Sequence, residues 1–192
     1  KKGKIYILDG WNPATKTFDK LITYMENLHN PNQVMFYTVN GEHFIYIAET
    51  GKLTYYSYKE GDNKPSSAGK QIAGFPDYGL SYKYGGWHLT RTIAVGGNGK
   101  IYVSVGSSCN ACVEKEKVRA TVLEMNPDGS EQKIYATGLR NAVGLKWVGK
   151  FLFATNQGAD HLGKHKPDES FEINQEYVTC PNLEGRSEER RV

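Results

Sequence analysis

Nearly the same short stretch occurs twice in this chain, as GKIYILDG at residues 3–10 and as GKIYVSVG at residues 99–106. GEHFIYIAETG at 41–51 and GKFLFATNQG at 149–158 share its pattern, a polar or glycine turn followed by a β-branched and aromatic run. The first strand residues that align are Ile5, Ile45, Ile101 and Phe151. They are 40, 56 and 50 residues apart, and self-similarity at such a period indicates a repeat architecture built from strands.

Turn signals around these stretches predict how the strands pair. The last three copies are each preceded by another apolar run, and Asn40-Gly41 and Asn98-Gly99 are strong hairpin dipeptides because both residue types tolerate positive φ. A third, alternating strand follows in KLTYYSY and in ATVLEMN. Several short antiparallel strands per repeat are typical of β-propeller blades, so each GKIY-like stretch is predicted to begin the same strand of a successive blade.

We therefore predict an all-β chain that forms a partial β-propeller over residues 1–192, with about three to four of the roughly four to eight blades that close a ring. The remaining blades are absent from this chain, and an open half would leave sheet edges unpaired. A β-sandwich would explain the strands but not the recurrence. The only stretch with a possible helical period is 19–28.

Charge and hydropathy argue against two kinds of partner. With 24 basic and 21 acidic residues the formal net charge is +3, which is too balanced to predict nucleic-acid binding. No apolar run approaches the ~18 residues of a membrane-spanning helix, so no membrane span is predicted. The chain begins with Lys1 and shows no signal peptide, so we expect that it has been processed or excised.

Three cysteines are present, and two of them form the CxxC pair Cys109 and Cys112. This spacing is compatible with a small disulfide, a redox pair or half of a metal site. Without a second CxxC, tetrahedral zinc is disfavoured. A local disulfide is the preferred hypothesis, and it favours an oxidising compartment.

Polar clusters follow or precede the predicted strands at three places. GGWHLTRT contains His88, TGLRNAVGL contains Arg140 and Asn141, and residues 154–170 form the loop ATNQGADHLGKHKPDES. Taken singly, each has an ordinary structural explanation: a hydrogen-bonded histidine, a solvated arginine and a solvated polar loop. The loop is also rich in oxygen donors, which hard cations such as calcium require.

Taken together, the stretches GWHLTRTIAVGGNGKIYVSVGSSCNAC, NPDGSEQKIYATGLRNAVGL and NQGAD…PDE are more specific. In this order they resemble the soluble glucose/sorbosone dehydrogenase family, whose members are six-bladed β-propellers that use pyrroloquinoline quinone (PQQ) with calcium. The resemblance covers residues 28–169, and residues 170–192 lie outside it. It implies a quinoprotein oxidoreductase that oxidises a sugar or sugar aldehyde by hydride transfer to the quinone, with an electron acceptor that the sequence does not specify.

The resemblance assigns roles at matching positions. His88 falls where the family has its general base, which removes the hydroxyl proton as hydride leaves the substrate. Arg140 and Asn141 fall at the cofactor-contacting Arg-Asn pair, and Gln157 is expected to contact the cofactor with them. A guanidinium at this place can pair with quinone or carboxylate oxygens.

The resemblance also implies the ligands for calcium. The carbonyl groups of Gly158 and Ala159 match the loop positions that hold the ion beside the cofactor. Asp168 and Glu169 match a downstream acidic pair that belongs to a structural calcium or anchors the loop.

Departures from the family pattern narrow the expected substrate. Trp87 stands where glucose-oxidising members commonly have Asp, and SSCN at 107–110 replaces a loop that often carries Asp and Gln. These differences favour the sorbosone-type branch of the family over the glucose-oxidising members. The protein is expected to be periplasmic or secreted. The alternative is a non-catalytic propeller that binds protein or glycan, since propellers host many binding functions. That alternative gives no reason for the His, Arg-Asn and Gln-Gly groups to converge.

Overall fold

The computed structural model describes residues 2–77 and 87–158, and within these ranges it contains strands and no helix. The strands, in chain order, are β1 (Lys2–Asn12), β2 (Thr17–His29), β3 (Pro31–Val39), β4 (Glu42–Glu49), β5 (Lys52–Ser57), β6 (Lys70–Gly74), β7 (Ile93–Val95), β8 (Ile101–Val105), β9 (Thr121–Met125), β10 (Lys133–Thr137), β11 (Ala142–Val148) and β12 (Phe151–Asn156). The all-β prediction is confirmed. No helix in the described part of the chain is long and apolar enough to cross a bilayer.

The chain divides into two compact units, Lys1–Gly74 and Phe75–Val192. The first unit contains a four-stranded sheet in the order β3-β4-β5-β6, and the second contains one in the order β10-β9-β8-β7. Both are antiparallel meanders of consecutive strands, which is the form of a propeller blade. Each unit also has a two-stranded sheet, β1-β2 in the first and β11-β12 in the second. The predicted β-propeller architecture is therefore present, and residues 2–77 and 87–158 form two four-stranded blades and two hairpins.

The two predicted hairpin turns form, but with different backbone conformations. Asn40 and Gly41 both have positive φ, 51° and 83°, as a two-residue turn of the primed type requires. In the second unit Gly99 has a φ of 75°, and its N–H donates to the Gly96 carbonyl at 2.9 Å. That turn therefore needs positive φ at the glycine.

The alignment of Ile5 with the other three strand residues is wrong. Ile45, Ile101 and Phe151 each lie in the second strand of their hairpins, β4, β8 and β12, whereas Ile5 lies in β1, the first strand of its hairpin. A glycine turn and a β-branched run predict a strand but not its partner. The partner depends on the flanking sequence, and the last three copies alone follow another apolar run.

The possible helix at 19–28 is also wrong, because these residues lie in β2. Tyr24 and Leu28 are buried and four positions apart, which is close to one helical turn. In β2 this stretch is extended but irregular, because its register against β1 shifts twice between Thr23 and Leu28. Pairing with β1 along the whole hairpin gives the stretch its extended conformation.

The core of the second unit positions the candidate site. Strands β8 and β9 are buried along their whole length. Trp147 on β11 packs against Tyr102 on β8, with ring centroids 5.0 Å apart, and the Thr92 hydroxyl donates to the Val143 carbonyl at 2.9 Å. These contacts hold the β11-β12 hairpin against the β7-β10 sheet, so the loops at one end of both lie close together. The buried members of this core are Tyr102, Val122, Ala136, Leu139 and Ala142.

Candidate functional site

The predicted residues meet at one edge of the second unit. His88 precedes β7 and Ser107 follows β8, while Arg140 and Asn141 precede β11 and Gln157 follows β12. In an antiparallel pair the start of one strand lies beside the end of the next, so each hairpin brings its two loops to the same edge. Strand ends of this kind are where rigid scaffolds place functional groups.

The hydrogen bonds of His88 determine which of its two ring nitrogens carries the hydrogen. Its φ is 47°, in the left-handed region, and its Nδ1 lies 2.8 Å from the Ser107 Oγ and 3.1 Å from the Ser107 carbonyl oxygen. The Ser107 hydroxyl donates its only hydrogen to the Cys109 carbonyl at 2.7 Å. Both Ser107 oxygens therefore accept from the ring, so Nδ1 of His88 carries the hydrogen. In the neutral imidazole, Nε2 is then the basic nitrogen.

Gly106 allows this close approach. A Cβ at Gly106 would lie 2.5 Å from the His88 Cβ, 2.6 Å from the His88 carbonyl oxygen and 3.0 Å from the Asn141 Oδ1. Any side chain at this position would push the His88 turn or the Asn141 amide away from the end of β8. The glycine is thus a steric requirement of the site.

Asn141 is buried at the centre of the polar cluster. Its Nδ2 donates to the Gln157 Oε1 at 2.7 Å, and its Oδ1 accepts from the Thr90 hydroxyl at 3.2 Å. Its backbone N–H donates to the Asn156 Oδ1 at 2.9 Å, and its carbonyl accepts from the Gln157 N–H at 3.0 Å. The amide is therefore oriented on both sides, and it connects Gln157 after β12 to Thr90 in the His88 turn.

Arg140 connects two loops through its guanidinium group. Its Nε donates to the Asn110 carbonyl at 2.8 Å, and one terminal nitrogen donates to the Asn110 Oδ1 at 2.6 Å. The other terminal nitrogen donates to the carbonyl oxygens of Gly158 at 2.7 Å and Gln157 at 3.3 Å. The planar fork is fixed by this pattern of donors, which a lysine at the same position could not reproduce.

Two buried arginines lie behind this edge. Arg91 donates to the carbonyl oxygens of His88 at 3.1 Å, Thr90 at 2.7 Å and Pro76 at 2.9 Å, so it holds the His88 turn from behind. Burial lowers the pKa of Arg91 to about 9, and the positive charge of Arg119 contributes to the same shift. Arg91 remains protonated at neutral pH. Carboxylates balance part of this charge, because the Arg119 Nε lies 3.5 Å from the Glu116 carboxylate and Asp77 acts to raise the pKa of Arg91.

The loop between β8 and β9 supplies residues that sequence reasoning missed. Cys109 and Cys112 form a disulfide, as preferred from the sequence, and Ser108 binds the Glu114 carboxylate through its backbone N–H at 2.8 Å and its hydroxyl at 2.7 Å. Asn110 lies inside the disulfide-closed turn. Its role depends on its carbonyl as much as on its side chain, so residue type gave no signal. The signal available was its position in SSCNAC, the same stretch that departs from the family pattern.

The predicted site residues thus divide into two groups. His88, Arg140, Asn141, Gln157 and Gly158 form one hydrogen-bonded cluster with Ser107 and Asn110. Ala159, Asp168 and Glu169 lie outside the described residues.

Comparison with known proteins shows the fold. No protein-family model matches the chain. The chain is similar to the PQQ domain of pyranose dehydrogenase from Coprinopsis cinerea in its holo form, with a TM-score of 0.55 and 16% sequence identity over 75% of this chain and 38% of that one. It is also 30% identical over 93 residues to an uncharacterized protein of Borreliella burgdorferi, a match that covers 47% of this chain and 24% of the relative.

The similarity to the solved structure shows the fold of the chain. The chain has, in part, the fold of a PQQ-domain β-propeller. It spans about a quarter of the curated relative and well under half of the solved structure.

Proposed function

We propose that this chain forms part of the active site of a PQQ-dependent oxidoreductase that oxidises a sugar or sugar aldehyde, with His88 as the general base. The observation that carries the proposal is the hydrogen bonding of His88. Its Nδ1 is committed as a donor to Ser107, so Nε2 is the nitrogen that can accept a proton. A neutral imidazole is an effective proton acceptor near pH 7.

The proposal assigns a role to each of the chain's own residues in this cluster. His88 takes the proton of a substrate hydroxyl at Nε2 as the carbon that bears this hydroxyl loses hydride. PQQ, when bound, supplies the hydride acceptor. Asn141 is oriented by its hydrogen bonds to Gln157 and to Thr90 of the His88 turn, and Arg91 holds the backbone of that turn.

The donor set of the cluster fits PQQ. The cofactor carries carboxylate and quinone oxygens, which are acceptors, and the cluster offers a guanidinium and oriented amides. Arg140 is fixed by Asn110 and Gly158, so its charge is positioned before any ligand arrives. Arg91, whose guanidinium is buried behind the His88 turn, adds positive charge that suits an anionic cofactor, whereas the charge of Arg119 is paired with Glu116 at 3.5 Å.

Calcium fits the described residues less well. Gly158 is the only predicted calcium ligand among residues 2–77 and 87–158, and its carbonyl oxygen accepts from Arg140 at 2.7 Å. A guanidinium so close to this oxygen opposes a divalent cation there. The calcium prediction therefore depends on Ala159, Asp168 and Glu169, and we derive no step through the ion.

We further propose a periplasmic or secreted location, because disulfides such as Cys109–Cys112 persist in oxidising compartments. The partners proposed are a sugar or aldehyde substrate, an electron acceptor of unspecified class and the remaining blades of the propeller. Nucleic acid is not among the proposed partners, since the net charge is only +3.

Calorimetric titration of PQQ into the folded chain tests the cofactor. We expect binding that weakens by at least about tenfold in Arg140→Gln, because a fixed cation is removed from the site. Lys146→Gln on β11 removes the same charge from an exposed position and is expected to leave affinity unchanged. Repeating the titration with calcium and then with a chelator tests the ion separately. A folded chain that binds no PQQ under either condition would contradict the proposal.

The general base is tested in protein that turns over substrate. His88→Gln is expected to lower kcat by about 10²- to 10⁴-fold while PQQ stays bound, since the ring acts in proton transfer. His43→Gln, an exposed histidine of the first unit, is the matched control. Turnover retained in His88→Gln would remove His88 from the mechanism.

A further inference from the structure

The loop at 106–120, between β8 and β9, contains no strand. The loop runs from the end of β8 to the start of β9. The Cys109–Cys112 disulfide closes a small turn inside it. Two adjacent residues of that turn, Cys109 and Asn110, contact the residues that orient the candidate site. The cross-link and the functional cluster are therefore joined by hydrogen bonds.

One path leads to His88. The Ser107 hydroxyl donates its hydrogen bond to the Cys109 carbonyl. The Ser107 Oγ is therefore an acceptor for the N–H at Nδ1 of His88. If the Cys109 carbonyl moved away, the hydroxyl could rotate and donate to Nδ1 instead. The ring would then populate the tautomer with its hydrogen on Nε2. In that tautomer Nε2 cannot accept a proton from the substrate. The Ser107 carbonyl, 3.1 Å from Nδ1, would be the remaining acceptor that favours the original form.

The other path leads to Arg140. Asn110 accepts from the guanidinium at both its carbonyl and its Oδ1, at 2.8 and 2.6 Å. These two bonds require the backbone and the side chain of Asn110 to face Arg140 together. A turn closed by a covalent bond between 109 and 112 restricts the backbone of 110 to few conformations.

We propose that the Cys109–Cys112 disulfide is a positioning element of the candidate site, and that Ser107 and Asn110 are the positioning residues through which it orients His88 and Arg140. The inference deepens the proposed function and rests on it for its chemical meaning. Its structural content, however, can be measured on the chain without PQQ. Neither Ser107 nor Asn110 is assigned a catalytic step.

The test uses nuclear magnetic resonance of the full chain in a Cys180→Ser background, with Cys109→Ser/Cys112→Ser as the variant. Two signals are followed: the tautomer of the neutral His88 ring, from its nitrogen shifts, and the exchange rate of the Arg140 Nε–H with water. In the disulfide-bonded chain we expect hydrogen on Nδ1 and a protected Nε–H. In the variant we expect a mixture of His88 tautomers and an Nε–H that exchanges at least about tenfold faster, because the donor loses its fixed acceptor.

Controls separate positioning from general loosening. Val113→Ala changes an exposed residue of the same loop and is expected to move neither signal. His43, whose Nδ1 lies 2.7 Å from the Thr38 hydroxyl in the first unit, is an internal reference that is expected to stay constant. Asn110→Ala is expected to affect the Arg140 signal more than the His88 signal. Circular dichroism checks that every variant remains folded.

A chemical version of the test needs no substitution of Cys109 or Cys112. A dithiol reduces the disulfide to two thiols by transferring two electrons and two protons, and the reagent closes into its own disulfide. Reoxidation is expected to restore both signals, which unfolding followed by aggregation would not. Each path is judged by its own signal, and a signal that keeps its disulfide-bonded value in both tests overturns that path.

The outcome for PQQ is read independently. Affinity is expected to fall about tenfold without the disulfide. If the two signals respond but no form binds PQQ, the positioning role stands and the proposed function fails. If PQQ binds equally with and without the disulfide and neither signal moves, the positioning role fails alone.

Discussion

The two four-stranded blades build the same corner with different side chains. In the first unit Asn30 precedes β3 with a φ of 51°, and its amide donates to the Thr50 hydroxyl, just after β4, at 2.8 Å. In the second unit His88 precedes β7 with a φ of 47°, and its ring contacts Ser107, just after β8. The backbone device is the same in both blades. The second blade alone places a titratable ring in it.

The connections that follow these corners differ as well. Residues 50–51 join β4 to β5, whereas residues 106–120 join β8 to β9. The short connection is accompanied by a buried carboxylate, Glu49, that pairs with Lys52 at 3.3 Å. The long connection reaches across to Arg140 and contains the disulfide. The two blades therefore share the same strand arrangement. The longer loop at 106–120 adds the contacts that make one corner of the second blade a candidate site.

When Ile45 is aligned with Ile101, Gly106 occupies the position equivalent to Thr50. A substitution at Gly106 gives the largest expected effect. Gly106→Ala should destabilise the chain by about 1–3 kcal/mol, because the new Cβ would lie 2.5 Å from the His88 Cβ. Urea unfolding measures the loss. Gly97→Ala, where no atom lies within 4 Å of the added carbon, should change stability by less than about 0.5 kcal/mol. Equal stability of both variants would show that the second corner tolerates a side chain as the first does.

A second prediction concerns the buried polar pair of the second blade. The Tyr102 hydroxyl donates to the Glu124 carboxylate at 2.7 Å, and burial together with this bond raises the pKa of Tyr102. Tyr102→Phe should cost about 1–2 kcal/mol of unfolding free energy, since a buried carboxylate loses a donor. In a Glu124→Gln background the same substitution should cost less. Additive losses in the double variant would contradict the pairing.

The smallest expected effect lies at the outer turns of the second blade. Lys100 and Glu131 pair at 2.8 Å, and the hydrogen bond from Lys100 lowers the pKa of Glu131. A carboxyl with a lower pKa in the folded state contributes stability above its unfolded pKa, and that contribution is lost as pH falls through the folded pKa. Glu131→Gln should therefore be slightly less stable than the wild type at pH 7, and the difference should vanish in acid. Unfolding curves whose difference grows in acid would contradict this sign.

Much of the fold could be predicted from local patterns, because strands and turns depend on short-range residue types. The strands at Ile45 and Ile101 and the Asn40-Gly41 turn belong to this class. The pairing of β1 could not be predicted, since a strand's partner depends on tertiary context. The composition of the candidate site was partly accessible. His88 and Arg140 have side chains that indicate chemistry, whereas Asn110 and Gly106 act through a carbonyl group and through the lack of a side chain.

The β11-β12 hairpin, which holds one side of the candidate site, also has a consequence for handling the protein. Phe151 and Phe153 on β12 are each 59% exposed, and among the described residues β12 pairs with β11 alone. An edge strand with exposed aromatic side chains is a template for sheet extension between molecules. Light scattering should accompany every titration, and a heat that grows with protein concentration should be assigned to association before it is assigned to a ligand.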